Sequence, residues 1–290
     1  MNVLPAQDEL TELVHDFFAS RDLEVSYDPE TGLGTYGEAQ FSVRNLAQNL
    51  AKIDRERWSE YVAWHFGRLV EGPPEVPSNY EKARRQLRVR LASTEMAKNY
   101  VSEEALRPVA DDLHEVLMIT VDKGAMTVPP DSIKEWGQPL DQLWNDARKH
   151  TLLDEPRERQ ALLGPNGEQF TWVRGSWWVA SLLLDLGRYL SPQNQHGAIA
   201  MVPVRDALLF HEITDAGVVH SVGSMVPAGL QFYFEGPDPI SPHVYWWRNS
   251  EIRRIVAYED EGLKPVWDSD FSRMLADVEA ATVVQDGSLN

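Results

Sequence analysis

Between Gly197 and Ile213 the chain reads GAIAMVPVRDALLFHEI. Two apolar runs flank a charged corner, Val204-Arg205-Asp206, and both runs read as strands headed for a core. The flanking sequence repeats the theme. Gln169 to Val173 reads as a short strand, and HVYWWRNSEIRRIVAYED as a strand, a turn at Asn249-Ser250 and a second strand. GVVHSVGSMV and GLQFYFEG continue the strand pattern on the same reading. Ser176 reads as the N-cap of an apolar helix through Leu190.

The first half differs. Leu10, Leu13, Val14, Phe17 and Phe18 mark an amphipathic helix, and a hairpin-like pair with an Asp-Pro-Glu-Thr-Gly turn follows over 25–43. Two helical pieces run from Asn45 to Val70, the second starting near Asp54, and the prolines of EGPPEVP break the chain. Residues 79–100 read as mostly helical or partly extended. EVLMITVD reads as a strand, Asp131 or Ser132 as a helix N-cap, and Asp141 as part of the first turn of the next helix. The sequence therefore predicts an α+β fold, helix-rich in its N-terminal half and strand-rich and largely antiparallel in its C-terminal half. Four segments are expected: 1–75 with helices and a hairpin, a helical 76–160, an α/β sheet region over 161–278, and a flexible tail over 279–290.

Cysteine is absent, which excludes disulfides and thiolate metal sites. The N-terminus lacks the basic start and apolar stretch of a secretory signal, and no run of about 18 apolar residues occurs. A cytoplasmic protein without a membrane span is expected. The net charge of −18 repels nucleic-acid phosphates and serves solubility. One local basic cluster, Lys82, Arg84, Arg85, Arg88 and Arg90 with Lys98 beyond, stands against it. On a helix Arg84, Arg85 and Arg88 would share a face, but few aromatics interleave with them. Salt bridging or an acidic partner is the expectation there, and nucleic acid is not.

Four stretches, VSYDPETGLGTYGEAQFSVRNLAQNL, LRPVADDLHEVLMITVD, SIKEWGQPLDQLWNDARKHTL and GAIAMVPVRDALLF, resemble the YtpQ-like family of uncharacterised bacterial proteins. The carrying features are Trp136-Gly137, the helix ending near Ala147, and the Pro203 to Asp206 corner, while Lys149-His150 departs from the family pattern. The resemblance implies a cytoplasmic bacterial α+β protein and carries no activity.

Two chemistries compete for the charged corner. Arg205, Asp206 and His211 could form a hydrolase or transferase site, with a histidine–carboxylate pair and an arginine for an anionic intermediate. Alternation along a strand places Arg205 and His211 on one face and Asp206 on the other, which weakens the pair. The expected reading is a clamp, with Asp206 accepting backbone N–H bonds and Arg205 paired to an acid. His211, His220 and His243 have no metal-ligand spacing, and no phosphate loop, dinucleotide fingerprint or serine elbow occurs, so no metal or cofactor is expected. The adjacent tryptophans Trp246 and Trp247 must face opposite sides of a strand. An exposed one beside Tyr245, Arg248, Arg253 and Arg254 would make a protein-binding hot spot. The sequence thus favours a non-enzymatic interaction or inhibitory module that recognises a protein or peptide partner through Tyr245 to Arg254.

Overall fold

The computed structural model describes residues 4–37, 39–72, 74–122, 124–153, 157–164, 167–215, 217–259 and 262–287. The chain divides into two compact units, one of Met1–Glu75 with Val121–Lys123 and Glu235–Asp238, the other of the remaining residues.

In the first unit α1 (Gln7–Ala19) buries Leu10, Val14, Phe17 and Phe18, the helical spacing seen in the sequence. The predicted hairpin gains a third strand: β1 (Ser26–Asp28), β2 (Leu33–Tyr36) and β3 (Ala39–Ser42) form an antiparallel sheet. Asp28 closes the first turn, its carboxylate accepting the Glu30 N–H at 2.9 Å. Helices α2 (Arg44–Leu50) and α3 (Trp58–Val70) complete a core around Phe18, Leu46 and Phe66.

The second unit opens with α4 (Tyr80–Ala83), β4 (Leu87–Ser93) and α5 (Thr94–Tyr100). Of the two readings of 79–100, the partly extended one applies to 87–93, and Arg84, Arg85 and Arg88 do not share a helical face, because 84–86 form a turn and Arg88 lies in β4. Leu87, Val89 and Leu91 are fully buried at a period of two, so the segment packs as a strand. Strands β5 (Leu106–Ala110), β6 (Leu113–Val121) and β7 (Gly124–Thr127) join β4 in a four-stranded sheet. Helix α6 (Pro130–Trp136) starts on Pro129 rather than Asp131 or Ser132, because Pro130 needs no hydrogen-bond partner at the first helical position. Helix α7 (Leu140–Leu153) carries Asp141 in its first turn as expected.

Helix α7 lies beside β4 and caps its open edge. Thr151 Oγ1 accepts the Val89 N–H at 2.8 Å. Ser181 Oγ accepts the Leu91 N–H at 3.2 Å and donates to Val89 O at 3.0 Å. Two buried hydroxyls thereby replace a neighbouring strand.

The larger sheet is wholly antiparallel, in the order β14-β13-β12-β10-β11-β9-β8. Its strands are β8 (Arg157–Leu163), β9 (Gln169–Gly175), β10 (Ala198–Met201), β11 (Ala207–Glu212), β12 (Val244–Arg248), β13 (Glu251–Glu259) and β14 (Gly262–Pro265). One face buries Ala200, Leu208, Tyr245 and Trp247 under a 3-10 helix, Val179–Tyr189, and against Leu91 and Leu113 of the smaller sheet. The other buries Ile199, Leu209 and Trp246 under α8 (Val218–Glu235) and α9 (Ser269–Gly287). β10 and β11 are covered on both faces, which is why GAIAM and ALLF are continuously apolar. The fold is α+β, with helices concentrated in the N-terminal half and antiparallel sheet in the C-terminal half.

Three local expectations change. Residues 217–226 and 229–236 are expected as strands, but Val218–Glu235 form the single helix α8, whose buried residues Val218, Ser221, Met225, Val226 and Gly229 recur at helical spacing. The helix expected from Ser176 is a 3-10 helix kinked at Asp185. Its Ala180 N–H bonds to Arg205 O at 3.1 Å, outside the helix, while Ser176 Oγ accepts the Trp178 N–H at 3.3 Å. The segment expected to fray from 279 stays helical to Gly287, anchored upstream by Phe271, Met274 and Val278 against the sheet. Residues 288–290 lie outside the described residues.

Candidate functional site

The charged corner holds a turn. Arg205 and Asp206 follow the isolated bridge of Val204 to Pro239, and the Arg205 guanidinium lies 4.4 Å from the centre of the Trp177 ring. Among the described residues the Asp206 carboxylate makes no hydrogen bond or ion pair. The expected cap by Asp206 is therefore absent, because Ala207 N–H closes the turn onto Val204 O at 3.3 Å instead. His211 stands five residues further along β11, roughly 16 Å away at strand rise. Its Nδ1 meets Gln169 O at 2.7 Å, and a carbonyl only accepts, so Nδ1 carries the proton. Nε2 is then the acceptor for Ser221 Oγ at 3.3 Å. His211 ties β9 to α8, and Arg205, Asp206 and His211 do not converge.

The hairpin β12–β13 turns at Asn249 and Ser250, both at positive φ (51° and 65°), as a two-residue hairpin turn requires. Trp246 and Trp247 do face opposite sides, but both are buried, at 4% and 8% exposure. This corrects the expectation that one is exposed, since the 3-10 helix covers one face and α9 the other. Trp247 packs so closely over Gly187 that a Cβ there would lie 2.5 Å from its ring, and Trp246 Nε1 donates to His196 O at 2.8 Å.

The arginines separate in the same way. Arg253, opposite Trp246, is held by Glu251, Asp268 and Asp270 at 2.7, 2.9 and 2.9 Å, and these carboxylates raise its already high pKa. Arg248 lies over Trp246 and donates to Gln195 O at 3.0 Å. Arg254, opposite Tyr245, approaches Asp111 and Asp112 at 3.8 and 4.0 Å. Tyr245 to Arg254 is therefore a two-faced element, with no single contact patch.

Tyr245 and Arg254 belong to a polar cluster that sequence reasoning missed. Tyr245, fully buried, donates to Asp112 Oδ2 at 2.5 Å and lies 2.6 Å from Ser241 Oγ. His243 Nε2 lies 3.5 Å from the same carboxylate oxygen. His243 Nδ1 accepts the Tyr258 N–H at 2.9 Å, which leaves the proton on Nε2. Burial lowers the His243 pKa against the opposing pull of Asp112, and burial raises that of Tyr245 far above its usual value, with Asp112 adding to the rise. Asp112 sits in the β5–β6 turn and the others on or beside β12, some 130 residues on, so no local motif marks them.

The hairpin also borders an open cleft of about 710 Å³. Its apolar lining is half-buried Val109, Leu152, Leu184 and Ile252, each packed on the margin of the core beneath. Arg148 and Arg253 stand at its rim, each already ion-paired. Arg148 reaches in from a 2.6 Å ion pair with fully buried Glu115. The carboxylates at the rim, Asp185 and Glu251, are paired with Arg188 and Arg253.

No family model, no curated protein and no solved structure matches the chain. Among the described residues no three His, Asp or Glu side chains are grouped to hold a metal ion, and no helix is long and apolar enough to cross a membrane.

Proposed function

We propose that this is a non-enzymatic interaction module of the bacterial cytoplasm, in keeping with its resemblance to the YtpQ-like proteins, and that it recognises a segment of a protein partner in the cleft beside the β12–β13 hairpin. The observation that carries the reading is the lining itself. Four apolar side chains from four separate elements are left half-buried in one open concavity of about 710 Å³, rimmed by Arg148 and Arg253. Burying them against a partner extends the core beneath, as an interface centre does. Of the residues first singled out for partner contact, Arg253 borders the cleft, while Tyr245, Trp246 and Trp247 support the strand from within. The rival reading, a hydrolase or transferase at Arg205, Asp206 and His211, lacks the convergence it needs.

The test is a pull-down from extract of the source organism at low and high salt, comparing the native chain with Ile252→Glu. The substitution places a carboxylate in the apolar lining, and circular dichroism checks that the fold persists. A partner retained at high salt by the native chain and lost by the variant supports the reading. A partner held equally by both, or none captured at either salt, overturns it.

A further inference from the structure

The two edges of the seven-stranded sheet differ. At β14, Val266 N–H bonds to Ile255 O at 2.9 Å, so residues 262, 264 and 266 turn their backbone groups toward β13. Leu263 and Pro265 face outward, and Pro265 has no N–H to offer, which blunts that edge. β8 ends the other side and pairs only with β9 among the described residues. Gly164 N–H bonds to Glu168 O at 2.7 Å, and with the register on β9 this turns the backbone groups of 158, 160 and 162 inward. Those of Arg157, Arg159, Ala161 and Leu163 face outward, and none of the four is proline. Glu158, Arg159, Gln160, Ala161 and Leu163 are all exposed, Leu163 at 74%. Charged side chains often guard such an edge. Here they are drawn back over their own chain. Glu158 pairs with Arg174 of β9 at 2.7 Å, and the Arg159 guanidinium lies 5.2 Å from the centre of the Tyr189 ring. The edge keeps a row of outward N–H and C=O groups, a pattern that an extended strand matches.

The strand that fits is β8 itself. Its outward residues lie symmetrically about Gln160. A two-fold axis through Gln160 sets Arg157 against Leu163 of a second copy and Arg159 against Ala161. Every outward N–H and C=O then finds a partner, about eight hydrogen bonds in all. Glu158 falls opposite Leu162 and Gln160 opposite its own mate, so no like charges stand directly opposed. An axis through Arg159 would set that arginine against itself, and an axis through Ala161 would carry Arg157 past the end of the strand. Residues 157–163 hold two arginines and one glutamate, so the net charge of −18 is carried away from this seam. Salt screens such distant charges beyond about 8 Å at physiological ionic strength. We propose that β8 is a homodimerisation edge, independent of the cleft, which joins two copies of the sheet into one antiparallel sheet about a two-fold axis at Gln160.

Sedimentation of the full chain at physiological ionic strength gives the first test. A dimer is expected, weaker at low salt where the two net charges repel across a longer range. Ala161→Pro removes an outward N–H that β9 does not use, and each copy contributes one to the seam. It is expected to weaken the dimer by about tenfold or more, while Ala161→Val, which keeps the N–H, leaves it within about twofold. The second test does not depend on how the proline variant folds. The chain has no cysteine, so a single one can cross-link only between copies. At a non-hydrogen-bonded pair the Cα atoms stand about 4.5 Å apart, within disulfide reach. Gln160→Cys is therefore expected to form a disulfide dimer on mild oxidation. Glu158→Cys is not, because four residues of strand, about 13 Å, separate it from its mate. A chain that sediments as a monomer at about 100 μM overturns the proposal. So does a dimer that Ala161→Pro leaves unchanged, or cross-linking at 160 no faster than at 158.

Discussion

At the scale of single residues, the two tryptophans of β12 show how covering decides a side chain's role. Alternation correctly separates Trp246 from Trp247, but only the layers above and below the sheet decide that both are interior. Trp247→Ala therefore acts as a core deletion. It is expected to cost about 3–5 kcal/mol in urea unfolding, the range for a large aromatic removed from a packed site. A loss below about 1 kcal/mol would show that the ring is not enclosed as described. Histidine 243 makes a second case. Burial lowers its pKa, and its Nδ1 accepts a backbone N–H, a bond that a second proton would break. Burial lowers the pKa of His65 and His114 in the same direction. In the unfolded chain these rings take up a proton near pH 6.5, whereas in the folded chain they do so only at lower pH. Their contribution is thus complete above about pH 6.5 and declines as pH falls toward the folded-state values. The melting temperature is expected to fall between pH 7.5 and pH 5.5, and His243→Gln to lessen the fall in the second unit. A flat profile over that window contradicts the assignment.

At the scale of elements, much of the architecture was legible, and the misreadings have a common cause. α1, α3 and α7 declared themselves because each buries one helical stripe and exposes the rest. β10 and β11 declared themselves as apolar runs. α8 did not, because its sequence is rich in glycine, valine and aromatics and holds Pro227, which the helix places on its exposed side. β4 was hidden by arginines alternating with its buried Leu87, Val89 and Leu91, a pattern that also fits a basic helix. Its edge gives an element-scale prediction. Thr151→Val keeps the shape of the side chain but removes the acceptor for the Val89 N–H, which the surrounding core hides from water. The expected cost is about 1–3 kcal/mol, with Ser181→Ala in the same range. Urea unfolding of both variants measures it. Values near zero would mean that water or a neighbouring strand satisfies that edge.

At the scale of the whole molecule, the candidate site was scarcely legible, for a geometrical reason. Val109, Leu152, Leu184 and Ile252 come from β5, α7, the 3-10 helix and β13. Each is an ordinary apolar residue in its own segment, and only the fold leaves them together at the rim of one core. Asp112, Ser241 and Tyr245 are joined across a comparable span of chain. Arg205, Asp206 and His211 are the converse: close in sequence, suggestive as chemistry, and kept apart by an extended strand. The measurement that bears most directly on the cleft is photo-crosslinking in cells, with a benzophenone side chain placed at Leu184 in the cleft or at Leu163 away from it. One partner protein joined at position 184 and not at 163 is the predicted result. No adduct at 184, or the same adducts at both positions, would contradict the cleft as the recognition surface.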